Sequence, residues 1–442
     1  MEVEAGTKNP EDDEALELLN SGAGLLRVVE GLSFPRFPGT PGSAEAARVC
    51  ADGLRAAGAV PLVEKFRFPS YFYDVFVRLP TFLLGAWLFA LGWQLAAVLP
   101  FPPLLAKFVA YFGLAPCSLL VASFVVSRDP AWYLPSNAES ANVWARVPPG
   151  GEEESSEGGA APVVVVSAHH DSKSQRLRMG SRQVALKLSF RGALVAGSFW
   201  ATSLIASLAS LPTVAALERC LAGLALAASS TGLVALGLNA SGNESPGAID
   251  DATGVAVVQA LAERFARAPP TNYKAWFVLF GAEEVGRMGS RAFVKSKWGT
   301  KKGGGYAHEP FVLNLNFDVL YRRLQVVRSE GLRQKPLAPT LLKALSSALS
   351  RLDALSSPRP PFSEPPEYLD AFLGNFTDRV PFTRRGFEGL DFTDWSGAAV
   401  CHSQEDLSTA VDPAFLAATC ALACLTLREL DGLLADPKKA TR

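Results

Sequence analysis

The chain has 442 residues and near-balanced charge, with 42 basic against 43 acidic side chains. That balance excludes the global positive field of a nucleic-acid binder, and no basic stripe interleaved with aromatics is present, so no nucleic-acid partner is expected. Hydrophobic residues make up 49% and charged residues 19%, an apolar bias for a soluble protein. The six cysteines are scattered apart from Cys420 and Cys424, which read as buried thiols rather than a disulfide framework.

The chain opens on MEVEAGTKNPEDDEALELL. This stretch is acidic and lacks the apolar run of a signal peptide. Roughly its first dozen residues read as a frayed tail, and residues 1–32 are expected to hold that tail and a first helix.

Beyond the turn-rich FPGTPGS, the pattern predicts a helix over Ser43–Ala57 and a strand over Val60–Phe68. Two apolar stretches follow, Thr81–Leu99 and Leu104–Ser127, joined by PFPP. Each is long enough to cross about 30 Å of hydrocarbon as a helix. Strands are predicted over Ala141–Val147 and Pro162–Ala168, around the polar loop GGEEESSEGG. A second apolar pair, Gly192–Leu211 and Cys220–Leu238, comes next. Lys107 is the only formal charge in the four stretches. Two transmembrane hairpins, over 79–127 and 191–239, are therefore expected, giving four crossings and a multi-pass protein in contact with the lipid bilayer. Thr253–Ala266 reads as a helix, Ala275–Phe280 as a buried strand, Arg287–Lys297 as a helix and Pro310–Phe317 as a strand. Pro336–Leu352 and Pro413–Leu434 read as further helices.

Strands alternating with helices indicate an α/β domain with a mixed, largely parallel central sheet flanked by helices. Its segments would be 33–78, 128–190 and 240–442. Segments that share one sheet lie on one side of a membrane, which an even number of crossings per insertion satisfies. Arg78, Arg128, Lys187 and Arg191 flank the apolar stretches on the domain side, so the positive-inside rule places the domain in the cytoplasm.

Chemistry-bearing residues gather at predicted strand ends, where ligand sites of open α/β sheets form. The run VVVVSAHHDSK ends a strand in His169, His170 and Asp171. In a His-x-Asp pair the carboxylate can accept the second imidazole N–H and fix the tautomer for metal binding. SPGAIDDATGVA places Asp250 beside Asp251 between Gly247 and Gly254; adjacent carboxylates repel unless a cation compensates. FVLFGAEEVG leads an apolar strand into Glu283 and Glu284, where one carboxylate can ligate metal while the other takes a proton from water. NLNFDVL ends in Asp318, and CHSQEDLSTAVD supplies His402, Asp406 and Asp412. Two imidazoles with several carboxylates suit zinc.

In order and spacing these five motifs resemble the M28 zinc peptidases, which include bacterial aminopeptidases and the related glutaminyl cyclases. PRFPGTPGS and TDRVPFTRRG add to the likeness, which spans roughly Ser33 to Leu434 outside the hairpins. The resemblance implies a sheet of about eight strands between helices and a peptide substrate. It implies two zinc ions bridged by Asp250, with His169 and Asp318 completing one position and Glu284 and His402 the other. Glu283 would be the general base, Asp171 would orient His169, the Asp250–Asp251 peptide would be cis, and Arg379 and Phe382 would face the substrate. HHDSK also looks like the cyclase branch, although Cys401 stands where cyclases carry a Trp before His402. The expected activity is that of an aminopeptidase; a cyclase-like acyltransferase and a degenerate binding domain are the rivals. No Gly-x-Ser-x-Gly, Walker loop or Gly-x-Gly-x-x-Gly occurs.

Overall fold

The computed structural model describes residues 9–96, 118–119, 122, 133–151, 161–209, 215–299, 311–331, 335–357, 361–371 and 377–435. Most of the apolar stretch Leu104–Ser127, the PFPP link and most of the GGEEESSEGG loop lie outside the described residues. The chain divides into two compact units. One comprises Met1–Arg67, Ala138–Ser174 and Asn243–Arg442; the other comprises Phe68–Asn137 and Gln175–Gly242.

The first unit is built on a nine-stranded sheet. Its strands are β1 (Leu62–Phe68), β2 (Ala138–Val147), β3 (Val163–His169), β4 (Lys274–Phe280) and β5 (Val312–Asp318). They continue as β6 (Gln325–Glu330), β7 (Lys335–Pro336), β8 (Glu367–Ala371) and β9 (Glu388–Thr393). The order across the sheet is β1-β2-β4-β3-β5-β9-β6-β8, with β7 on β6. The central strands β4, β3, β5 and β9 run parallel, while β2 and β6 join antiparallel. Every residue of β3, VVVVSAH, is buried, as a continuous apolar strand covered on both faces must be. Its alternation separates two cores: Val164 and Val166 face one with Phe277 and Leu279, and Val163 and Val165 face the other with Val278, Phe280 and Phe293.

Helix Pro10–Leu19 begins within the stretch expected to fray. Asn9 caps its first turn, and Ala15 and Leu18 are buried. Helix Pro413–Leu434 follows an N-cap at Asp412 and is enclosed in the core. Strands β6, β8 and β9 were not apparent in the sequence.

The second unit holds helices Leu79–Ala96, Met179–Leu208 and Ala215–Gly237. Small residues let them approach closely: a Cβ on Gly232 would stand 2.2 Å from Ser189 Oγ, and one on Gly192 would stand 2.5 Å from the Ala225 carbonyl oxygen. Ser229 Oγ donates to the Ser189 carbonyl at 2.8 Å. Close backbones joined by hydroxyl bonds are how helices associate where no hydrophobic effect drives them. Trp93, Phe190, Trp200, Leu204, Ile205 and Leu208 are exposed.

Among the described residues, four helices are long and apolar enough to cross a membrane: Asp74–Trp93, Met179–Ala206, Leu217–Gly237 and Pro413–Leu434. The last differs in kind, since 83% of its apolar stretch is buried against 17, 18 and 39% for the others.

Candidate metal centre

The carboxyl ends of three parallel strands carry the site. β3 ends in His169, β5 ends in Asp318, and β4 runs through Gly281-Ala282 into Glu283 and Glu284. Asp250 lies in the buried turn Ala248–Ala252, ahead of helix Thr253–Arg267. His402 lies in the loop after the short helix Trp395–Ala399.

Asp250 faces both ways. Its Oδ1 stands 3.1 Å from His169 Nε2, and its Oδ2 stands 3.1 Å from His402 Nε2. Asp318 Oδ1 is 3.9 Å from His169 Nε2, and Glu284 Oε1 is 3.2 Å from His402 Nε2. Two groups therefore share Asp250, His169–Asp250–Asp318 and Asp250–Glu284–His402, with the donor atoms of each within 4.8 Å of one another. Imidazole nitrogens and carboxylate oxygens at such separations fit zinc in both groups.

The charge balance points the same way. Asp250, Glu283 and Glu284 are buried and Asp318 nearly so, and such a group of carboxylates is costly without cations. Burial works against a proton on His169, but Asp171 and Asp250 outweigh it and hold its pKa well above the ordinary value. Burial would raise Asp250, yet His169 and His402 hold it well below the usual carboxylate range. Burial lifts Asp318 and Glu283 well above that range, against the charge of His169. Burial would also raise Glu284, but His402 and Lys173 keep it low; Lys173 Nζ stands 2.6 Å from its Oε2.

The surrounding peptides are held in uncommon conformations. Ala282, Val319 and His402 have positive φ of 57°, 64° and 60°. These adjoin Glu283, adjoin Asp318, and are His402 itself; such strain persists only where the surroundings over-determine it. The Asp250–Asp251 peptide is cis, as the resemblance implies. Buried carboxylates bind the backbone around the site. Asp251 accepts from the amides of His169, Gly254 and Val319. Asp171 accepts from those of Glu283 and Glu284, both at 3.0 Å. The nearest acceptor to His169 Nδ1 is the Asp171 carbonyl at 3.2 Å, with the Asp171 carboxylate at 3.7 Å. Asp171 thus touches His169 chiefly through its main chain and spends its carboxylate on the Glu283–Glu284 turn. His170 turns away and bonds the Ala141 carbonyl.

Arg379 and Phe382 require a correction. Both side chains are fully buried, so neither presents surface to a substrate. The Arg379 guanidinium donates to Asp391 at 2.6 Å and to Glu330 at 3.0 Å; Phe382 packs on Phe280 and Trp298. Sequence reasoning assigned no role to Arg36, within PRFPGTPGS, and counted Asp406 only among several candidate carboxylates. Arg36 is fully buried, and Asp406 accepts from the backbone of the Asp250 turn. The signal for Arg36 was a charged residue inside an otherwise apolar, turn-forming motif.

No curated protein matches the sequence. The model of peptidase family M28 matches residues 233–427. Among solved structures, an aminopeptidase from Aneurinibacillus sp. strain AM-1 is 12% identical with a TM-score of 0.52, covering 94% of this chain and 95% of its own. BSAP, a zinc aminopeptidase from Bacillus subtilis, is 14% identical with a TM-score of 0.51, covering 92% and 94%. A glutaminyl cyclase from Porphyromonas gingivalis is 12% identical with a TM-score of 0.47, covering 93% and 98%. Residues 233–427 thus resemble peptidase family M28, and the chain shares the fold of the two aminopeptidases.

Proposed function

We propose that this chain is a membrane-anchored, zinc-dependent aminopeptidase that removes N-terminal residues from peptides. The observation that carries the reading is the Asp250 carboxylate, with one oxygen beside His169 and the other beside His402. His169, Asp250 and Asp318 would hold one ion, and Asp250, Glu284 and His402 the other. When bound, zinc supplies Lewis acidity that polarises a carbonyl and acidifies water. Glu283 accepts the proton of the attacking water on its carboxylate and returns it to the leaving amine nitrogen. Burial supports this role, since it raises the proton affinity of Glu283. Asp171 fixes the turn that aims Glu283 by taking its amide. The strained Ala282 and Val319 peptides hold their neighbouring carboxylates in place.

The apolar exterior of helices Leu79–Ala96 and Met179–Leu208 supports the anchor: Trp93 and Trp200 are 64 and 67% exposed, a surface suited to lipid. Arg78, Lys187 and Arg191 near the apolar stretches favour a cytoplasmic catalytic unit.

The decisive experiment combines zinc analysis of the purified full-length chain with a panel of aminoacyl fluorogenic substrates. Zinc near two per chain with release of the N-terminal residue is expected. Ammonia release from Gln-initiated peptides without aminoacyl hydrolysis would replace the reading with a cyclase. Zinc-free protein without turnover would leave a binding domain. Resistance of the protein to alkaline extraction from membranes tests the anchor, and protease access to residues 151–159 in sealed vesicles tests sidedness.

A further inference from the structure

The turn that bears Asp250 is gripped from two chemical sides. The fully buried Arg36 guanidinium takes its carbonyls: Nη2 donates to Gly247 at 2.6 Å and Nη1 to Pro246. The same side chain reaches the end of β3, with Nε donating to the His170 carbonyl at 2.7 Å. The Asp406 carboxylate takes amides of the same turn: Oδ1 accepts from Ile249 at 2.5 Å and Oδ2 from Asp250 at 3.3 Å. The Asp406 main chain binds both partners, its carbonyl accepting from the Ala248 amide at 3.2 Å and its amide donating to Ser403 at 3.3 Å. Ser403 follows His402 directly. Gly247 makes room for the grip, because a Cβ there would meet Ser172 Cβ at 2.5 Å and Arg36 Nη1 at 2.8 Å.

We propose that Arg36 and Asp406 are positioning residues that together set the aim of the Asp250 carboxylate, and so the affinity of both metal positions. The proposal rests on the two-metal reading above. Three backbone segments bear His169, Asp250 and His402, and the two charged groups tie them to one another. A carboxylate shared by two ions has no slack, since a turn that improves one bond lengthens the other. Removing either grip frees the Asp250 peptide and weakens both positions, whereas removing His402 weakens one. Outer partners of metal ligands typically change affinity by about 10–100-fold.

The test uses the full-length chain in detergent micelles, stripped of metal and titrated with cobalt(II) and with zinc. Asp406→Asn keeps the size of the side chain but turns an amide donor toward a backbone donor. Arg36→Met removes the fork, and Arg36→Lys keeps one cationic donor. We expect Asp406→Asn and Arg36→Met to lower affinity at both positions by about 10–100-fold and to shift the cobalt d–d absorption, with Arg36→Lys intermediate. Tyr273→Phe is the control for lost stability, since it deletes only a buried bond to the Leu427 carbonyl, and it should leave affinity and spectrum unchanged. Where Arg36→Met does not fold, Asp406→Asn gives the same readout. If the variants lose stability yet bind cobalt with parental affinity and spectrum, the grip is only structural and the proposal fails alone. If the parent chain binds neither metal, the two-metal reading falls and takes the proposal with it.

Discussion

Asp250 stands at 3.1 Å from each of two imidazoles, His169 through one carboxylate oxygen and His402 through the other. The two histidines are separated by most of the chain, and this carboxylate is the one side chain common to both candidate metal groups. Asp250→Ala should therefore abolish both metal positions, while His402→Ala should reduce zinc from two equivalents to one. Metal stoichiometry after dialysis separates the two outcomes; equal stoichiometry in both variants would contradict the shared role of Asp250.

Glu283→Gln keeps the shape of the side chain and removes its basicity. The variant should retain parental zinc while turnover falls by about 10²–10⁴-fold. Retention of near-parental turnover would remove Glu283 from the chemistry.

Chelation should abolish hydrolysis and lower the melting temperature, because ions bound only by the folded state stabilise it by mass action. The loss should reverse on adding zinc. A melting temperature indifferent to chelator would mean that the carboxylate cluster is satisfied without cations.

Gly247 has φ of 65° and no space for a Cβ. Gly247→Ala should cost more than about 1 kcal/mol of stability, read from thermal unfolding of metal-free protein. In the other unit, Gly232→Leu should separate the helices that meet at Ser189 and destabilise the detergent-solubilised protein. A parental melting temperature for Gly232→Leu would show that this close approach is dispensable.

The grouping of the candidate ligands was legible because several of them end strands whose apolar runs are plain in the sequence: VVVVSA before His169, FVLF before the Glu283–Glu284 turn, and NLNF before Asp318. Helix Pro413–Leu434 was read with its observed limits because a proline and a capping aspartate mark its start. Strands β6, β8 and β9 were missed because QVVRSE, EYLDA and EGLDFT are short and carry charges. Those charges are matched across the fold, Asp370 by Arg328 and Asp391 by Arg379. The same blindness misplaced Arg379. A charge beside a motif reads as facing a substrate, and only the fold reveals that Asp391 and Glu330 hold it. Arg36 and Asp406 act on backbone carbonyls and amides, which leave no trace in side-chain spacing.

The order in which this chain leaves the ribosome matters for its sheet. β3 and β4 are neighbours with His169 paired to Phe280, yet helices Met179–Leu208 and Ala215–Gly237 are synthesised between them. At about 5–20 residues per second, β3 waits several seconds for its partner, with a largely apolar strand unpaired. Contacts of such long sequence separation form slowly, and His402 emerges later still. A nascent chain stalled between these strands would offer VVVVSA as an open edge, so the vulnerable stage of this protein's life precedes the completion of its central sheet.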